Sequence, residues 1–80
     1  MDSNDFSRQL GGKLREARLN RGMSLAQVEA RSRGRWTQSS LGDYESGKRE
    51  IKAETFAELA AFYRVSLDAL LPSAEMLLPH

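Results

Sequence analysis

The chain has 80 residues, a formal net charge of +1 and no cysteine. That length allows one small domain. Without cysteine there is no disulfide, thiolate metal site or thiol nucleophile, which fits a reducing cytoplasm. No apolar run approaches the roughly 18 residues of a membrane span, and the polar residues 1–5 do not form a signal peptide. Because the net charge is small, a nucleic-acid partner would require cations concentrated on one face.

The first predicted helix runs from Asp5 to Arg21, and Gly22 ends it. Its apolar stripe has helical spacing and consists of Phe6, Leu10, Leu14 and Ala17. Arg18 adjoins the edge of this stripe, so we expect it to point inward toward a partner.

A second helix is predicted from Leu25 to Arg33, with Ser24 as its N-cap. Met23 and Val28 have the spacing of a hydrophobic staple. The apolar face is thin and consists of Leu25, Val28 and either Ala26 or Ala30. A helix this short and polar depends on packing against its neighbours.

The third predicted helix has a well-marked start and stop. Thr37 is suited to cap its first turn, and Trp36 and Leu41 have the spacing of a second staple. Gly47 can take the left-handed conformation that ends a helix. Leu41 and Tyr44 share one face that can be buried. Two short helices joined by a turn containing glycine form a helix-turn-helix unit.

The other face of the third helix is small and polar, and cations flank the helix. The face consists of Gln38, Ser39, Gly42, Asp43 and Ser46. Arg35 precedes it, and Lys48 and Arg49 follow. This pattern suits a major groove, where polar side chains meet base edges and cations meet phosphates. A solvated surface helix explains the stretch alone equally well.

The remaining elements complete an all-α domain. A fourth helix is predicted over 53–63, and a fifth over 67–71 with Ser66 as N-cap and Pro72 as stop. The pattern places the domain at residues 1–72 and a C-terminal tail at 73–80. The aromatic residues assigned to the core, not to base stacking, are Trp36, Phe56, Phe62 and Tyr63.

Catalysis and cofactor binding find no support in the sequence. There is one histidine, at the C-terminal position 80, and the carboxylates are scattered, so no metal site is predicted. No glycine-rich phosphate loop and no nucleophile with an evident base pattern appear. We therefore predict no enzyme activity and no cofactor.

The order of these elements resembles the lambda-repressor-like (Xre, Cro/C1-type) DNA-binding domains. The resemblance is carried by Tyr-Glu-Ser-Gly-Lys-Arg at 44–49, Phe-Ala-Glu-Leu-Ala at 56–60 and Val-Ser-Leu-Asp-Ala-Leu-Leu at 65–71, and it covers about residues 6–72. Within that family the chain looks most like the N-terminal domain of BldD-type developmental repressors of actinobacteria, which share the long Gly-Arg-Trp turn. The resemblance implies a compact five-helix fold, with the third helix as the recognition helix.

The resemblance also implies roles for individual residues. Base contacts are implied for Thr37, Gln38, Ser39 and Asp43. Phosphate contacts are implied for Ser24, Gln27, Arg33, Arg35, Ser40, Lys48 and Arg49. Gln38 is the best candidate for base recognition, because a Gln amide can pair bidentately with adenine. Arg18 and Glu45 match an arginine–glutamate pair that holds the first helix to the recognition helix, which we interpret as a structural clasp.

Two departures from the family pattern concern the contact list. Leu25 stands where the family commonly has a phosphate-gripping Gln, so that contact is lost or passes to the amides of Ser24 or to Gln27. The turn before the recognition helix is also about two residues longer than usual, which would bring Arg33 and Arg35 closer to DNA.

The sequence thus predicts sequence-specific binding of double-stranded DNA by a cytoplasmic, nucleoid-associated transcriptional repressor. Because one recognition helix reads only a few base pairs, we expect a homodimer on a pseudo-palindromic operator. BldD-type proteins carry a further effector-binding domain, which these 80 residues do not contain. The alternatives are a protein-binding module of the same fold, such as an antitoxin or adaptor, and non-specific association with the nucleoid.

Overall fold

The computed structural model describes residues 3–71, and these form five helices and no strand. In chain order the helices are α1 (Ser3–Asn20), α2 (Leu25–Arg31), α3 (Gln38–Ser46), α4 (Ala53–Tyr63) and α5 (Leu67–Leu70). The predicted all-α, five-helix fold is confirmed. The predicted tail at 73–80 lies outside the described residues.

Some predicted helix ends were wrong by one or two residues. Helix α1 begins at Ser3 rather than Asp5, and α5 ends at Leu70. Helix α2 stops at Arg31, because Arg33 and Gly34 take left-handed backbone conformations with φ of 56° and 77°. That geometry cannot continue a right-handed helix.

The predicted N-caps are formed. Ser24 and Gln27 make a reciprocal capping box, in which the Gln27 N–H donates to Ser24 Oγ at 3.1 Å and the Ser24 N–H donates to Gln27 Oε1 at 2.8 Å. Thr37 Oγ1 accepts from the Ser40 N–H at 3.1 Å. Ser66 Oγ accepts from the Ala69 N–H at 3.2 Å. These bonds satisfy amides that a helix start leaves without partners.

One core joins all five helices. Its buried members are Leu14, Ala17, Met23, Val28, Trp36, Leu41, Leu59, Ala60, Tyr63 and Leu70. Phe56 and Phe62 are partly buried against it, which confirms the assignment of the aromatic residues to the core. The apolar face predicted for α2 was wrong in part, because Ala26 and Ala30 are both exposed.

Two glycines let α1 and α3 cross at close range. A Cβ on Gly11 would lie 2.7 Å from the Glu45 carbonyl carbon, and closer still to the carbonyl oxygens of Tyr44 and Glu45. Reciprocally, a Cβ on Gly47 would lie 2.9 Å from the backbone nitrogen of Arg8. Gly47 also has a φ of 81°, the left-handed conformation expected at the end of α3. The close packing of α3 on α1 therefore requires residues without a Cβ at positions 11 and 47.

Residues 3–71 contain neither a membrane-spanning helix nor a cluster of metal-ligating side chains. Across 3–71, no helix has the length and apolar character needed to cross a membrane. Nor do three or more metal-ligating side chains of the His, Cys, Asp and Glu types come together there.

Candidate nucleic-acid interface

The first turn of α3 presents its side chains outward. Gln38 and Ser39 are exposed, and within residues 3–71 neither side chain has a hydrogen-bond partner. Behind them Leu41 is buried at 1 % exposure and fixes the helix to the core. Further along, Asp43 is half-buried, and its carbonyl accepts the Lys48 N–H at 2.9 Å as the helix ends. The arrangement leaves polar groups free on a firmly seated helix.

Thr37 and Ser40, by contrast, are already engaged with each other. The Thr37 hydroxyl donates to Ser40 Oγ at 3.1 Å while accepting the Ser40 N–H. Arg49 Nη1 donates to the same Ser40 Oγ at 3.4 Å. The Arg49 guanidinium carbon also lies 6.0 Å from the centre of the Tyr44 ring, within the range of a cation–π contact. Arg49 therefore lies along α3. Ser40 Oγ accepts from both Thr37 and Arg49, so the hydrogen-bonding capacity left to its side chain is the donation of its own O–H.

The cations around the α2–α3 turn differ in their availability. Arg33 and Lys48 are exposed, and within the described chain they have no ion pair or side-chain hydrogen bond. Arg35 instead donates twice to Glu58, from Nε at 2.5 Å and from Nη2 at 2.7 Å. The hydrogen bond to Glu58 raises the pKa of Arg35 and lowers the pKa of Glu58. To contact a phosphate, the Arg35 guanidinium must either break its hydrogen bonds with Glu58 or bind the phosphate and Glu58 together.

At the start of α2, fewer donors are free to bind a phosphate than the sequence predicted. The Ser24 N–H is committed to Gln27 Oε1 by the capping box. The Nε2 group of Gln27 has no partner within residues 3–71 and remains able to donate. Leu25, which stands in the family's Gln position, is half-buried against the core.

Arg18 and Glu45 form the buried ion pair between α1 and α3. Arg18 Nε donates to Glu45 Oε2 at 2.8 Å and Nη2 donates to Oε1 at 2.9 Å, a bidentate arrangement. Its third nitrogen, Nη1, donates to the Met23 carbonyl at 2.9 Å. Both side chains are less than a tenth exposed, and the hydrogen bond to Glu45 raises the pKa of Arg18. This geometry ties together α3, the end of α1 and the segment between α1 and α2, on the side of α3 away from its exposed turn.

Sequence reasoning missed one residue next to the recognition helix. Glu29, on α2, accepts the Gln38 N–H at 2.7 Å through Oε1. The two residues are nine positions apart, and no local capping pattern links them. Only the folded turn brings them together.

Comparison with known proteins agrees with this geometry. A family model described as helix-turn-helix (HTH_3) matches residues 14–70, so the chain belongs to the helix-turn-helix family. Two solved structures match with 46 % identity. One is the crystal structure of the DNA-binding domain of BldD, with a TM-score of 0.85 over 90 % of this chain and 100 % of that one.

The second is the structure of the S. venezulae BldD DNA-binding domain, with a TM-score of 0.82 over 85 % of this chain and 99 % of that one. No curated protein sequence matched the chain. The resemblance to BldD-type domains inferred from the sequence is confirmed. The family and fold are those of non-enzymatic DNA-binding regulators, so the chain is not an enzyme.

Proposed function

We propose that this domain binds double-stranded DNA sequence-specifically, as a homodimeric transcriptional repressor on a pseudo-palindromic operator. The observation that carries the proposal is the exposed first turn of α3, with the unpartnered Gln38 and Ser39 on a helix held from behind by Leu41. A helix of this kind fits the major groove with its N-terminal residues against base edges. The two similar structures are those of DNA-binding domains, which supports DNA as the partner.

Base recognition is assigned to Gln38 first. Its NH2 group can donate to adenine N7 while its carbonyl oxygen accepts from the adenine N6 amino group, a bidentate pair worth about 1–3 kcal/mol of discrimination. Ser39 can reach a base or a phosphate. Asp43 can accept from the cytosine N4 amino group. Its negative charge is repelled by phosphates and by base edges that present acceptors, so it can also act by excluding other bases. Thr37 contributes through its methyl group, because its hydroxyl caps the helix.

Phosphate anchoring is assigned chiefly to Lys48 and Arg33, the exposed cations without partners. Arg49 and Arg35 join them only after rearranging, Arg49 from Ser40 and Arg35 from Glu58. Binding of this type places the protein on the nucleoid.

The first test is selection from randomised duplexes, followed by salt-titrated binding of the selected duplex and a scrambled version. We expect an inverted repeat to be enriched, because two recognition helices are needed for a full site. Gln38→Ala should lower the affinity ratio between the two duplexes about tenfold. Gln9→Ala, an exposed glutamine on α1, is the matched control and should leave the ratio unchanged. Equal affinity for all duplexes would contradict specific recognition and leave non-specific association.

A protein-binding module of the same fold is the second candidate, and the engagement of Arg35 and Arg49 inside the domain favours it. Reversing the charge at Lys48 and Arg49 separates the two. Under the DNA-binding proposal this double variant loses duplex affinity, most strongly at low salt, and the salt dependence of its binding becomes shallower. The same reversal at two exposed cations elsewhere, Arg31 and Arg64, should have a smaller effect. Retained DNA affinity after reversal at Lys48 and Arg49 would count against the proposed interface.

A further inference from the structure

The side chain of Glu29, on α2, reaches the point where the long turn joins α3. Its carboxylate accepts the backbone N–H of Gln38, the first residue of α3, at 2.7 Å. Its backbone carbonyl accepts the Gly34 N–H at 2.9 Å and the Ser32 hydroxyl at 3.1 Å. One half-buried residue therefore holds both the left-handed part of the turn and the helix that follows.

The two caps of α3 divide its first amides between them. Thr37 accepts the N–H of Ser40, whereas Glu29 accepts the N–H of Gln38. A charged acceptor makes a stronger hydrogen bond than a hydroxyl, and a negative charge is favourable at a helix N-terminus. The backbone of Gln38 is thus fixed from α2, an element that precedes the turn.

We propose that Glu29 is a positioning residue for base recognition, an inference that rests on the proposed function. It fixes the backbone from which the Gln38 side chain reaches a base. Its charge also occupies the N-terminus of α3, an end that would otherwise attract a phosphate. The helix start is thereby reserved for side-chain readout, and phosphate binding is left to cations beyond it.

Two substitutions separate the hydrogen bond from the charge. Glu29→Gln keeps an acceptor oxygen in the same place and removes the charge, whereas Glu29→Ala removes both. Glu16→Gln, an exposed carboxylate on α1, is the control for a change in net charge. Each variant is assayed for its affinity ratio between the selected and scrambled duplexes across a salt series. Amide exchange of Gln38 in the free domain reports the hydrogen bond without DNA.

We expect Glu29→Ala to expose the Gln38 amide to exchange and to lower the affinity ratio about tenfold, the loss expected for one base contact. Glu29→Gln should keep the ratio within about twofold and raise the affinity for both duplexes by a similar factor, because a repulsive charge is gone. Glu16→Gln should raise the affinity for both duplexes by a smaller factor. If the alanine variant fails to fold, the glutamine variant still tests the inference. Its Gln38 amide must stay protected from exchange, and its affinity for both duplexes must rise more than that of Glu16→Gln.

Three results would overturn the role of Glu29. One is an unchanged ratio in a folded Glu29→Ala variant, and another is an equal loss of ratio in both variants. The third is a Gln38 amide that exchanges freely in the wild type. A wild-type ratio of one is a different failure, since it removes the proposed function itself and this role with it.

Discussion

Replacing Gly11 by alanine should destabilise the domain, although alanine is the better helix former. The added Cβ would lie 2.7 Å from the Glu45 carbonyl carbon and closer to two carbonyl oxygens of α3. Optimal contacts between carbon atoms are at ~3.5–4.0 Å. The opposing atoms belong to the backbone, which cannot rotate away as a flexible side chain can. The two helices must therefore separate by roughly 1 Å to restore normal contact.

The neighbouring Gly12 supplies the reference for the magnitude. A Cβ there meets nothing within 4 Å, so Gly12→Ala should gain only the helix propensity, about 0.5–1 kcal/mol. Gly11→Ala has the same gain, against an overpacking cost of about 1–3 kcal/mol. Separating α1 from α3 also stretches the buried Arg18–Glu45 pair, which joins the same helices. The net loss should be about 2 kcal/mol.

Thermal unfolding and urea titration of both variants measure this difference. With about 4–8 °C per kcal/mol for a domain of this size, Gly11→Ala should lower the Tm by about 10 °C and Gly12→Ala should raise it by about 4 °C. A Gly11→Ala variant as stable as Gly12→Ala would refute the close crossing of α1 and α3.

Three further predictions concern side chains of the core and the turn. Burial raises the pKa of Tyr63 to about 12, so the folded protein holds this proton more tightly than the unfolded chain, and stability should fall between about pH 10 and 12. In urea titrations, Tyr63→Phe should reduce this loss of stability at alkaline pH. The substitution should change stability at neutral pH little, because the buried Tyr63 hydroxyl has no hydrogen-bond partner in the described chain. Glu45→Gln leaves the Arg18 guanidinium buried without a counter-charge, so it should lower the free energy of unfolding by about 3–5 kcal/mol in urea titrations. A loss below about 1 kcal/mol would show that the ion pair is dispensable. Glu58→Gln should release Arg35, raising affinity for any duplex and steepening its salt dependence by about one unit, whereas an unchanged slope would mean that Arg35 meets no phosphate.

Features that depend on neighbours in the sequence could be predicted. Each N-cap and its amide lie three residues apart, as for Ser24 with Gln27 and Thr37 with Ser40. Gly47 ends its helix by its own backbone conformation. Periodicity likewise identified the buried stripes, since the face that a helix buries repeats along the chain. These signals were sufficient for the fold, with errors confined to helix ends and to Ala26 and Ala30.

Features that depend on how the helices cross could not be predicted from local patterns. Arg35 and Glu58 are 23 residues apart, and nothing near either one indicates that they pair. The sequence shows Gly11 and Gly12 side by side without indicating which of them meets α3. The contact of Glu29 with Gln38 likewise requires the turn to be folded. The sequence therefore named the exposed face of α3, but not which of its surrounding charges are already engaged.

The packing of Trp36 gives the domain an optical probe at its most informative junction. It is the only tryptophan in the chain, it is buried, and its ring meets Phe62 of α4 edge-on with centroids 5.5 Å apart. It also immediately precedes the N-cap of α3. Its emission therefore reports the environment where the turn, α3 and α4 meet, separately from any label placed on DNA. A shift in emission on adding a duplex would reveal movement of the turn, and a constant emission would mean that α3 docks as a preformed unit.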